Sequence, residues 1–314
     1  MTEEKKIQLL QQVASENISI QKSNFQSILY ILNSIQYNRY ILKDEFLSER
    51  LQNSNLLFQK ILLNGYSMKI LIDGVTIPNI EYKNLVTFND PITLNIILRS
   101  LLETYLTFHY FNFSDSETED EIRHKIWTYY GLFNRAKIKM DNPTLEQQYK
   151  AVMESDSIEM EKLLAEIKES YLFKQLSNVK QRSLLKDLKR NWKIKFCNNN
   201  YIMLSYQDLL NNIGLRIKFY NNQYNYLSWS THTTSILIYQ LRQMYDTKWD
   251  AFESHNILLK ASSLIAMATV DLITNDQDYI PSYNLLVQEH KDLLNFYNYY
   301  FRDDNFTIDK VDKE

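Results

Sequence analysis

Glycine is what this chain lacks. Four Gly and four Pro in 314 residues fall well below the usual shares of roughly 7% and 5%. Tight hairpins, bulges and phosphate-cradling loops draw on backbone conformations that glycine reaches without strain. A chain without it is restricted to long regular elements with few sharp connections. The sequence therefore predicts an all-α fold, a multi-helix bundle with long helices. Only near 199–205, where an Asn-rich turn precedes Tyr-Ile-Met-Leu, does it expect a short extended segment.

Within that scheme the stretch from Asp90 to Phe113 reads as a helix apolar on almost every side, as buried helices are. Asp90 suits the N-cap and Pro91 the first helical position, where its missing N–H costs nothing. Helices are also expected over 3–44 and 44–72, the latter stopped by Gly74 with Pro78 beyond. Residues 75–88 read as a loop with a short extended piece. Ser114–Glu121 is acidic, as befits a helix N-terminus, and leads a helix to about Lys139. Asn142-Pro143 opens another. Residues 174–195 predict a helix with Leu185, Leu188 and Trp192 on its buried seam. Residues 216–245, 257–274 and 282–300 complete the bundle. The division expected is 1–74, N-terminal helices, and 90–301, the main bundle, the two forming one domain if the loop at 74–90 is no boundary. Residues 302–314 read as a flexible tail.

Composition narrows the function classes. A net charge of −3 gives no global attraction to nucleic acid or anionic lipid. Cys197 has no second cysteine to pair with, and no Cys/His cluster suggests zinc. Glu121 and His124 form a single Glu-x-x-His, whereas a di-metal bundle needs two such motifs and two more Glu. No metal and no cofactor is expected. Glycine-rich phosphate loops, Gly-x-Ser-x-Gly and His-Glu-x-x-His are absent. The charged N-terminus lacks an apolar signal core, and the most apolar run, 257–273, carries Lys260 and Asp271. The expected setting is cytoplasmic, with no membrane partner.

Polar residues on the central helix form a stripe: Asn95, Arg99, Glu103 and Thr107 recur every four positions. Arg99 and Glu103 can pair along the helix. A second stripe, Asn221, Asn225, Ser228, His232 and Ser235, lies in 216–245. Buried polar groups need partners, so the two stripes are expected to face each other. Lys180, Arg182, Lys186, Lys189, Arg190 and Lys193 are candidate nucleic-acid contacts, with aromatic residues among them for stacking.

The order Arg99-Ser100-x-x-Glu103, then Tyr224-x-x-x-Ser228-x-x-x-His232, resembles an uncharacterised family of bacterial all-helical proteins, over about Asp90 to Leu241. That resemblance implies a helical fold and no activity. A looser likeness is to the HEPN superfamily, helical bundles that include metal-independent ribonucleases of toxin and defence systems. Their signature is Arg, four to six residues, then His. Here the positions before His232 are Asn225, Tyr226 and Leu227, so Arg99 would have to supply the cation from another helix. The HEPN likeness that these residues carry implies metal-independent RNA cleavage. It needs a base near a 2′-hydroxyl and a cation on the phosphoryl oxygens, for which His232 and Arg99 are suited. The candidate catalytic residues are Arg99, Glu103, Ser228 and His232, supported by Asn95, Tyr224 and Asn225.

Two functions are therefore carried forward. One is an RNA-directed effector, a ribonuclease or RNA-binding protein of bacterial toxin or defence type, expected to form a homodimer. The other is a non-catalytic interaction or scaffold protein with a protein partner, in which the same residues lock the bundle. In the second, Glu103→Ala is expected to cost about 3 kcal/mol or more, by stranding a buried Arg99.

Overall fold

Helices begin where the sequence supplies caps. Thr2, Ser48 and Ser116 each accept a backbone N–H three residues on, satisfying a donor the helix itself leaves open. A computed structural model describes residues 2–15, 17–42, 47–78, 85–88, 90–138, 143–215, 223–231 and 249–302, with single positions 235, 238, 239, 242 and 243. In chain order the helices are α1 (Glu3–Ala14), α2 (Ile18–Leu42), α3 (Glu49–Leu71), α4 (Pro91–Tyr110), α5 (Glu117–Arg135), α6 (Pro143–Glu169) and the short α7 (Tyr171–Lys174). There follow α8 (Asn178–Asp187), α9 (Tyr206–Asn212), α10 (Gln223–Thr231), α11 (Trp249–Asn275), α12 (Ile280–Asn284) and α13 (Gln288–Phe301). The fold is all-α, as the glycine scarcity predicts.

Among the described residues two small antiparallel ribbons interrupt it. The segment read as a loop pairs β1 (Val75–Pro78) with β2 (Leu85–Phe88), Val75 opposite Phe88. The extended segment near 199–205 is one arm of a second hairpin, β3 (Ile194–Cys197) with β4 (Asn200–Met203). Its partner strand corrects the sequence reading, because the helix expected to reach residue 195 ends at Asp187. The reason lies in the turn. Asn198 and Asn199 both take positive φ, 42° and 59°, the pattern of a two-residue hairpin turn that Asn tolerates best after Gly. Ile194 and Phe196 alternate inward, a two-residue period that overrides the apparent seam.

By its contacts the chain forms two compact units, Met1–Thr107 with Leu210–Glu314, and Phe108–Leu209. In the first, α11 is the core helix. Ile257, Leu258, Ala261, Leu264 and Ile265 are buried, and so are most residues up to Ile273. Its Phe252–Asn275 stretch is long and apolar enough to cross a membrane, but 89% of its most apolar part is buried against the rest of the protein. Packing of α3 onto α2 is close: a Cβ on Gly65 would come 2.3 Å from Leu29 Cδ2 and 3.4 Å from Ile265 Cδ1. The second unit has its own core, with Ile126, Ile167, Leu184, Leu188 and Ile194 at its centre.

Arg302, the first residue of the segment read as a tail, is fully buried. It donates to both Asp271 carboxylate oxygens at 2.6 and 2.7 Å, to Asn298 and to the Ile213 carbonyl. The Tyr105 hydroxyl also donates to Asp271 at 2.6 Å.

Candidate functional site

The polar stripe on α4 is real, and its members have different surroundings. Asp90 fixes the start of the helix, its carboxylate accepting from the Thr93 backbone and hydroxyl. One turn on, buried Asn95 donates to Glu253 Oε1 at 3.2 Å. Tyr226 donates to the same oxygen at 2.8 Å. Burial pushes the Tyr226 hydroxyl pKa well up, and the Glu253 charge adds to this. Burial lowers the Lys260 pKa, opposed by the charge of Glu253.

The next turn carries the central cluster. Arg99 Nε donates to Glu103 Oε1 at 2.9 Å. Its second terminal nitrogen donates to the Tyr224 hydroxyl at 3.0 Å, and that hydroxyl donates to Glu103 Oε1 at 3.0 Å. The guanidinium carbon also lies 4.9 Å from the centre of the Tyr224 ring, within cation–π range. Burial alone would lower the Arg99 pKa, but the hydrogen bond and charge of Glu103, with Tyr224, hold it above its ordinary value. Thr107 closes the stripe by bonding the Glu103 carbonyl, and Ser100 accepts from Asn64.

Solvent distinguishes this cluster from the others. The side chains of Arg99 and Glu103 are 19% and 34% exposed, so the expectation of a deeply buried pair is corrected. Among the described residues, Asp271–Arg302 and Glu119–Arg123 are enclosed pairs. In the latter, Arg123 donates twice to Glu119 Oε1 and once to the Tyr110 carbonyl, and the Phe196 N–H donates to the same carboxylate oxygen.

From the segment that carries the second stripe, the described bonds to Arg99 and Glu103 are those of Tyr224, which lies beside that stripe and is not one of its members. Ser228 is half-buried and Asn225 is exposed. Asn221 and His232 lie outside the described residues. Glu253 and Tyr226 escaped the sequence reading, although a Glu beginning an apolar helix, seven residues before Lys260, was the available signal.

In the second unit Lys180, Arg182, Lys186, Lys189 and Arg190 are exposed and Lys193 is half-buried. Lysine heads sit over aromatic rings: Lys180 over Tyr201, Lys189 over Phe133, and Lys193 over Tyr206 at 4.4 Å and Trp192 at 5.4 Å. Tyr201 is held in turn by its hydroxyl donating to Asp187 at 2.7 Å. His124 is buried and packs its ring against Phe111 and Trp127. Among the described residues no group of three or more His, Cys, Asp or Glu could hold a metal ion.

Residues 81–248 match a family of unknown function, DUF5677. The chain belongs to that family. The matched segment contains all the residues of both stripes, from Asn95 to Ser235. It brings no activity with it and no link to HEPN proteins. No curated protein and no solved structure matches the chain.

Proposed function

We propose that this protein is an RNA-directed effector whose working centre is the cluster of Arg99, Glu103 and Tyr224, with Ser228 and His232. The observation that carries this reading is the contrast in access. The Asp271–Arg302 and Glu119–Arg123 pairs are enclosed, as groups serving the fold alone should be, whereas solvent reaches Arg99 and Glu103. A charged, hydrogen-bonded cluster that solvent reaches is where binding or chemistry is expected.

In this reading Arg99 binds phosphoryl oxygens and Glu103 and Tyr224 fix the guanidinium plane. His232 takes the proton of a 2′-hydroxyl, whose oxygen attacks phosphorus, and the departing 5′-oxygen takes a proton from water. Lys180, Arg182, Lys186, Lys189, Arg190 and Lys193 of the second unit are its candidate contacts to the RNA backbone.

The test is single-stranded RNA with the purified protein and a chelator. Binding should be saturable, and its log–log salt slope should fall by about 2 when Lys186, Lys189 and Arg190 become Ala. Cleavage should vanish in a folded His232→Ala variant. No binding, or an unchanged slope, removes the RNA reading. Cleavage that survives in His232→Ala removes this mechanism.

The alternative is a non-catalytic interaction protein. The closed triangle of bonds among Arg99, Glu103 and Tyr224 favours it, since such a ring clasps two helices whether or not anything binds. It predicts that Tyr224→Phe lowers stability and leaves RNA handling unchanged.

A further inference from the structure

The two faces of α3 are unlike each other. One packs inward through Ser54, Phe58, Ile61, Gly65 and Met68. The other points to solvent and yet is apolar: Leu56, Leu63 and Ile70 are 57%, 67% and 73% exposed, with Tyr66 beside them at 38%. Single exposed apolar side chains are ordinary, but an aligned set is a contact surface.

The three aliphatic residues are spaced by seven, and that spacing specifies the occupant's shape. Residues seven apart stay on one line along a helix, and a heptad line of Leu and Ile is what one helix presents to another. The line runs over fifteen residues, about 21 Å of helix.

Charge selects which helix. Glu49 sits in the first turn of α3 and Lys69 in the last, with exposed Lys60 between them. A second α3 laid antiparallel sets Leu63 against Leu63 and Leu56 against Ile70. It also brings Glu49 of each helix toward the C-terminal half of the other, which holds Lys69 and is followed by an Asp73 already paired with Lys22, and opposes the two helix dipoles. Lys60 then lies opposite the partner's Tyr66, whose ring already takes the Lys69 ammonium at 6.0 Å. A parallel pair would instead set Lys60 beside Lys60 and Glu49 beside Glu49.

We propose that the exposed face of α3 is a homotypic interface, on which a second copy of this chain packs its own α3 antiparallel about Leu63. One helix pair is at the small end of specific interfaces, so the dimer dissociates on dilution. This inference is independent of the RNA reading.

Sedimentation of the full chain over a dilution series should show a monomer–dimer equilibrium within the hundred-micromolar range. Leu63→Glu and Ile70→Glu should each remain monomeric with an unchanged melting curve, because both positions are exposed. Cys197 is free, so cross-linking is done with Cys197→Ser in place. There Leu63→Cys should oxidise to a linked dimer by itself. Leu56→Cys should link only when mixed with Ile70→Cys. A chain that stays monomeric throughout that range overturns the proposal. So does a dimer that survives both Glu substitutions, or Leu56→Cys linking to itself as readily as to Ile70→Cys.

Discussion

At the scale of single residues, exposure decides what each charged side chain is worth. Arg99 and Glu103 share a bond on a surface that solvent still reaches, so Coulomb attraction between them is partly screened. Glu103→Ala is expected to lower stability by about 1 kcal/mol, read from denaturant midpoints, rather than the 3 or more expected of a sealed pair. Tyrosines give a second residue-scale prediction. Burial raises the pKa of Tyr110 and Tyr226 above the ordinary 10.0, and the nearby charge of Glu119 or Glu253 adds to this. Above pH 10 the unfolded chain therefore ionises first and the folded state holds more protons. Stability from these two groups is complete below pH 10 and is lost as pH rises from there. Urea midpoints between pH 8 and 11 should fall, and Tyr110→Phe with Tyr226→Phe should flatten the alkaline fall. The sequence revealed Arg99 and Glu103 because two charges stood out in an apolar helix. It did not reveal Arg302, since a charged residue beside Asp303 and Asp304 looks like solvent-facing chain until Asp271, 31 positions away, is seen beside it.

At the scale of elements, periodicity was legible wherever one face alone was buried. The helix from Pro91, the apolar α11 and the short strand after the Asn pair could each be read from pattern and punctuation. Where a tertiary contact decided the outcome, pattern failed. Leu185, Leu188 and Trp192 have helical spacing, but the chain leaves the helix at Asp187. The Tyr110 hydroxyl, arriving from 84 residues earlier, bonds the Ile194 carbonyl and N–H. Trp192 packs edge-on against the same ring at 4.9 Å. Sequence spacing carries no trace of that visitor. Gly65 makes a comparable point within α3. Substituting Ala would gain helix propensity of about 1 kcal/mol, but its Cβ would meet Leu29, which is itself buried. Gly65→Ala is expected to destabilise by about 1–2 kcal/mol net, in the range of overpacked cores, measured as a lowered denaturant midpoint with an unchanged slope.

At the scale of the whole molecule, the scarcity of glycine set the class of fold, and the helices carry a small number of polar clusters that differ in what they enclose. Asp271 with Arg302 is closed off and joins positions 31 apart, and Glu119 with Arg123, one turn apart on α5, is closed off with the Phe196 N–H bonded to it. Arg99 with Glu103 and Tyr224 is reachable and lies in the segment that defines the family. The account rests on that division of labour between enclosed and reachable charge. Its most direct test compares Arg302→Met with Arg99→Met, reading melting temperature and RNA binding on the same samples. Arg302→Met should lose about 3–5 kcal/mol, because it leaves the Asp271 carboxylate buried without its cation. Arg99→Met should melt within a few degrees of the unaltered protein and lose RNA binding or cleavage. An Arg99→Met protein that is as unstable as Arg302→Met, yet handles RNA normally when folded, would contradict the account.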